Sequence, residues 1–302
     1  MMRKHTIKEY LLAVRPWSFP ASAMPVVVTV SYMVWMKYPI NWLVAMLALA
    51  TMVLFQAAGN VWDDYFDFKK KVDTKESYGV FTLTRGIFEP KEFIWLALIL
   101  MTLAAVCGIA VCALAGWQLL WFGLAGIVLT LVYPWCKYHV LGDLNIFITY
   151  AVLPISGILL ALSNIFTNAE IILLAVPVGL ITVGILHANN TRDAATDKAA
   201  GIHTLPIVMG AKASVAVYCS EIIIPYVWIG VVSIIGIFPL STVVVFLTLP
   251  FACGLCYNMT KFLKLGARRI ATLDAATARI QLFFSLALSL SFIVAHYLSF
   301  VA

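Results

Sequence analysis

The sequence predicts an all-α integral membrane protein with nine transmembrane helices. Three observations carry that prediction. First, 63% of the 302 residues are hydrophobic and only 11% are charged, where a soluble domain has roughly 45–50% and about 25%. Mean hydropathy is +0.99. Second, charge-free stretches recur at about the 20 residues a helix needs to cross hydrocarbon. Third, the basic residues sort onto alternate loops. A soluble enzyme, a disordered chain and a secreted disulfide scaffold are thereby excluded.

The spans follow in order. Pro16 to Met36 is the first and Tyr38 to Ala58 the second. Phe93 to Cys136 is too long for one crossing, and Ala115-Gly116-Trp117-Gln118 supplies a turn that divides it into the third and fourth. Leu144 to Leu162 is the fifth and Ile171 to Leu186 the sixth. Ala213 to Thr260 breaks at Gly236 to Thr242 and gives the seventh and eighth. Ile280 to Val301 is the ninth. With this count, 19 of the 20 Lys and Arg residues fall on one side and only Lys37 on the other. That asymmetry puts the N-terminus and the charged loops on the cytoplasmic side of an inner membrane. The net charge of +6 then reflects topology and not nucleic acid. Arg15 and Pro16 interrupt the first apolar stretch, so no cleavable signal peptide is expected. The pair Cys253 and Cys256 has no His or second CxxC nearby and carries no zinc or redox reading. The organisation expected is one membrane-embedded domain over residues 1–302, with site loops at about 59–92 and 187–212.

Acidic residues are scarce, and two groups of them follow even-numbered spans. Five of the fourteen lie between Asp63 and Glu76. If the second span's helix continues, Asn60, Asp63 or Asp64, and Asp67 stack on one face at i, i+3/i+4, i+7. Asn189, Asp193 and Asp197 stack in the same way at i, i+4, i+8. Like charges one turn apart repel, more so where little water screens them. A divalent ion of the magnesium type relieves this, because it takes carboxylate and phosphate oxygens together. Two opposed acidic faces would hold two such ions around a diphosphate. Cations on the same side suit its oxygens: Arg85, Lys137, Arg192 and Lys198. Lys69 to Lys71, Lys261, Lys264, Arg268 and Arg269 read instead as topology signals.

These residues resemble the UbiA superfamily of intramembrane aromatic prenyltransferases. Within it the similarity is to the 1,4-dihydroxy-2-naphthoate prenyltransferases of menaquinone synthesis. Asp63-Asp64-Tyr65-Phe66-Asp67 through Asp73-Thr74 resembles that branch's NDYFDxxxGxDT pattern. Asn189-Asn190-Thr191-Arg192-Asp193 through Asp197, Gly201, Thr204 and Leu205 resembles NNxRDxxxDxxxGxxTL. Tyr133 and Lys137 resemble the family's YxxxK element. Asp63 stands where the family has Asn, and Lys71 where this branch has Gly. Either Asp63 binds metal directly or Asn60 supplies the amide one turn earlier.

The resemblance implies a nine-span bundle over a central cavity and two Mg2+ ions bridging an isoprenoid diphosphate. It implies Asp63, Asp67, Asp193 and Asp197 as metal ligands, with Asp64 and Asp73 behind them. Asn60, Arg85, Lys137, Arg192 and Lys198 would hold the diphosphate. Asp67, Asp193, Lys137, Tyr133 and Asn190 would form the reacting centre. The partners implied are a polyprenyl diphosphate donor, an aromatic acid acceptor and membrane lipid. Other branches, acting on 4-hydroxybenzoate, homogentisate, haem or a glycerol phosphate, are the alternative. A transporter is the remote one, since its acids would sit mid-span. Glu221 either faces the cavity or lies protonated near the interface. His187 is either a helix-face partner or a proton acceptor.

Overall fold

The computed structural model describes residues 5–71, 82–163 and 167–299. It is helical throughout, apart from one isolated bridge between His139 and His203. Among the described residues, eight spans are long and apolar enough to cross a membrane, and a ninth results when a bent helix pair near the N-terminus counts as one.

That pair is α1 (Ile7–Val14) and α2 (Pro20–Trp35), joined by a short 3-10 turn and bent by 51°. Thr6 and Glu9 close a capping box at the start of α1. Arg15 ends it in the left-handed region at φ 54°. Helix α3 (Trp42–Lys69) is capped by Asn41. Its 28 residues make it about 42 Å long at 1.5 Å per residue. That exceeds the hydrocarbon thickness of about 30 Å, so the last turns, from Asn60 to Asp67, reach beyond the apolar core as helix. Helix α4 (Pro90–Ala115) stops at Gly116, whose φ of 130° suits glycine. A 3-10 turn leads into α5 (Leu120–Tyr138). The turn falls at the tetrapeptide that divides the long apolar stretch in the sequence.

The fifth span is compound: α6 (Gly142–Phe147), a π-helical turn over Ile148–Val152, then α7 (Leu153–Ser163). Helix α8 (Asn168–Ala199) is the longest at 32 residues. It is followed by the short α9 (Leu205–Met209) and by α10 (Ala211–Ile234). Gly236 at φ 80° turns the chain into a 3-10 segment and α11 (Leu249–Leu265). Helix α12 (Leu273–Leu298) begins seven residues before the span read from hydropathy, because Asp274 and Arg279 lie on its first turns.

Helices α8 and α12 pack on each other and on α2 at the centre. Their buried faces carry Leu174, Ile181, Phe284, Leu288 and Phe292. Tyr32, Trp35, Phe238 and Phe292 interlock at one end of the bundle. At the other end the C-terminal turns of α3, α5 and α8 meet the N-terminal turns of α6 and α12. Helix therefore reaches into both segments read as site loops: α3 runs to Lys69 and α8 to Ala199.

Candidate active site

A cavity opens at this end. Asn60 and Asp63 of α3 line it, with Tyr133 and Lys137 of α5, Asn189 of α8 and Asp274 of α12. The pairs Asn60–Asp63 and Tyr133–Lys137 face it together because residues three or four apart share a helix face.

Lys137 is the centre of the polar cluster. It is 5% exposed. Its Nζ donates to Asp67 Oδ2 at 2.6 Å and to Asp63 Oδ2 at 3.2 Å. Tyr138 Oη donates to the other oxygen of Asp67 at 2.7 Å. Asp197 lies within electrostatic reach of Lys137. One ammonium thus offsets part of the repulsion among three carboxylates from two motifs. Asp64 turns to another partner, Arg15, in a partly buried ion pair. Asn60 is held by Val14 O and Ser18 Oγ, both at 2.9 Å, so the α1–α2 bend is tied to the first acidic motif.

The second motif is organised by Arg192. Its guanidinium takes Asp193 with two nitrogens at 2.9 and 2.7 Å. It also donates to Asp274 at 2.9 Å, to Ala271 O at 3.2 Å and to Asn189 Oδ1. Arg192 therefore joins α8 to α12 and lies behind the cavity wall, where the sequence reading aims it at a diphosphate. The bidentate fork is what guanidinium geometry favours.

Several predicted residues lie elsewhere. Lys198 is exposed in the last turn of α8, and Arg85 is exposed on the turn before α4; neither lines the cavity. Asn190 is buried with its Oδ1 unbonded and does not line the cavity. Asp73 lies outside the described residues. Residues that the sequence reading did not place in the site are Arg15, Ser18, Gln56, Asn145, Tyr150 and Asp274. Arg15 was legible as an arginine at the mouth of an apolar span. Asp274 gave no such signal, because neighbouring charges put it outside the last apolar stretch.

A second, apolar cavity adjoins the first and shares Thr130, Thr149 and Tyr150 with it. It runs between α3, α4, α5 and α7, past Met52, Phe55, Phe122 and Ile158. Gly123 and Gly126 border it with nothing near their missing side chains.

This arrangement of polar mouth and apolar sleeve sits in a chain whose residues 22–287 match the UbiA prenyltransferase family. The chain belongs to that family. It is accordingly a multi-pass membrane enzyme that transfers prenyl groups. The prenyltransferase is 32% identical over 260 residues to the UbiA prenyltransferase domain-containing protein 1 of Xenopus tropicalis, covering 83% of this chain and 74% of that one. It is 30% identical over 246 residues to the 1,4-dihydroxy-2-naphthoate octaprenyltransferase of Bacillus subtilis, covering 78% and 77%. A UbiA homologue from Archaeoglobus fulgidus, solved bound to DMAPP and Mg2+, superposes with a TM-score of 0.63 at 13% identity, covering 93% of this chain and 98% of that one. At that identity the likeness concerns the fold.

Proposed function

We propose that the enzyme transfers a polyprenyl group from an isoprenoid diphosphate to 1,4-dihydroxy-2-naphthoate, in menaquinone biosynthesis, at the cytoplasmic face of an inner membrane. The observation that carries this reading is the junction of the two cavities. A polar mouth faces Asp63, Lys137 and Asn189, and an apolar sleeve leaves it past Thr130 and Tyr150. A diphosphate with an isoprenoid tail has that same division. The naphthoate acceptor is supported by the NNxRD-like segment and by the name of the Bacillus relative. The orientation is supported by the sorting of the basic residues.

The acidic faces fit magnesium. Asp63, Asp67, Asp193 and Asp197 offer only hard carboxylate oxygens, and Asp63 Oδ1 is buried with no partner. Asp63 and Asp67 would hold one ion, and Asp193 and Asp197 a second. When bound, Mg2+ supplies positive charge that stabilises the departing diphosphate. Lys137 offers a fixed positive charge at the cavity wall for phosphate oxygens. The allylic C–O bond breaks and its electron pair leaves with the diphosphate. The rings of Tyr133 and Tyr150 border the place where the allylic cation forms, and aromatic faces stabilise cations. The apolar sleeve keeps water from it. A ring carbon of the acceptor then attacks, and the acceptor loses its carboxylate as CO2 in restoring aromaticity.

A transfer assay in detergent tests this. It uses geranylgeranyl diphosphate with 1,4-dihydroxy-2-naphthoate or 4-hydroxybenzoate, in Mg2+ or EDTA. Prenylated naphthoate is expected only with Mg2+, with turnover falling about 10²–10³-fold in Asp67→Asn. Turnover with the benzoate alone would overturn the acceptor and keep the reaction class. Undiminished turnover in EDTA would overturn the metal reading.

A further inference from the structure

Behind the cavity wall lies a polar cluster that the transfer reaction does not use. Asp143 of α6, His187 of α8 and Glu221 of α10 meet there, at 9%, 0% and 7% exposure. One ligand atom from each lies within 4.8 Å of the others. His187 Nδ1 is 3.0 Å from Asp143 Oδ2 and 3.5 Å from Glu221 Oε1.

Hydrogen-bond accounting fixes the ring. Thr191 Oγ1 donates to His187 O at 2.7 Å, which uses its only proton. Thr191 must therefore accept from Ser214 Oγ, 2.6 Å away. Ser214 has then spent its own proton and accepts from His187 Nε2 at 3.0 Å. Nε2 carries the hydrogen, so a neutral His187 turns the lone pair of Nδ1 toward two carboxylates.

The carboxylates are under-satisfied. Asp143 Oδ1 and Glu221 Oε2 are buried with no hydrogen-bond partner. Among the described residues, His187 is the sole ion-pair partner of either acid. Two buried carboxylates beside one imidazole cannot stand without compensating charge. Protons relieve this only in part, because the single lone pair of His187 Nδ1 can accept from one of the two acids, at Asp143 Oδ2 or Glu221 Oε1, and Asp143 Oδ1 and Glu221 Oε2 stay without a partner. A divalent cation solves both problems at once.

We infer that Asp143, His187 and Glu221 form a binding site for one zinc-type divalent ion, separate from the aspartate motifs. Ligands about 2 Å from such an ion stand roughly 3–3.5 Å apart, which matches the separations of His187 Nδ1 from the two carboxylates. One imidazole and two carboxylates are a zinc-compatible set, and the Ser214 contact orients the ligating ring as outer partners of metal-bound histidines do. Magnesium suits the site less, since it keeps several waters and an octahedral shell. The ion would pin α6, α8 and α10 together. Leu186 and Asn189 beside His187, and Asn145 and Ile146 just after Asp143, line the cavity, so the pin lies directly behind the wall.

The test is metal content by mass spectrometry on detergent-purified protein, loaded with Zn2+ and passed over a chelating resin. An Asp67→Asn/Asp193→Asn background keeps zinc off the acidic motifs. Roughly one retained zinc per chain is expected in that background, and near none when Glu221→Gln or His187→Gln is added. Loading the same background with Co2+ is expected to give the visible absorption of a low-coordinate nitrogen–oxygen site, which needs no further variant. A background protein that retains no zinc, or an equal content after Glu221→Gln in protein that elutes as the folded species, would overturn the assignment.

Discussion

Lys137 illustrates how one residue holds the site together. It is buried between Asp63 and Asp67, and removing one partner of a buried ion cluster costs about 3–5 kcal/mol. Lys137→Met is expected to lower thermal stability by that order, because the two aspartates then repel at close range. Added Mg2+ is expected to raise the melting temperature of this variant more than that of the parent. Equal shifts in a detergent melting assay would count against a shared aspartate site. Arg192 and Asp274 make a second residue-scale case. A double-mutant cycle with Arg192→Leu and Asp274→Leu is expected to give a coupling of about 0.5–3 kcal/mol. Additive losses would show that the clamp between α8 and α12 carries no energy.

At the scale of elements, the site depends on helices that run past the apolar layer and on one close approach. The π-helical turn at Ile148–Val152 carries Tyr150 into the cavity. Helix α8 can pack on it because residue 179 is glycine. A Cβ there would meet Phe147 Cε2 at 2.6 Å and Ala151 Cβ at 2.7 Å. Gly179→Val is expected to destabilise by about 1–3 kcal/mol, as overpacked cores do. It is also expected to impair turnover, since the displaced turn moves Tyr150 and Thr149. A fully active, fully stable Gly179→Val enzyme would show that this contact can relax elsewhere.

For the whole molecule, the proposed reaction makes the two adjoining cavities the limit on the size of donor that fits. Gly126 borders the apolar sleeve with open space where a side chain would stand. Gly126→Leu fills that space. Turnover with a short donor such as geranyl diphosphate is expected to survive, while turnover with a donor of eight isoprene units falls at least about tenfold. Parallel losses with both donors would place the tail along another path.

Much of this was legible before any coordinates. The apolar spans, their breaks at Gly116 and Gly236, and the helical stacking of Asn60, Asp63 and Asp67 follow from local chemistry. A backbone in hydrocarbon must satisfy its own hydrogen bonds, so an apolar run of about 20 residues has few options but helix. Helical spacing then determines which neighbours share a face. The pairing across helices was not legible. That Lys137 sits between two aspartates, that Asp64 takes Arg15, and that Arg192 reaches Asp274 all depend on which helix packs beside which. So does the meeting of Asp143, His187 and Glu221, which lie far apart in the chain and belong to three helices. Sequence periodicity fixes a side chain's direction about its own helix axis, whereas its partner is decided by how the helices pack, and only the tertiary structure supplies that.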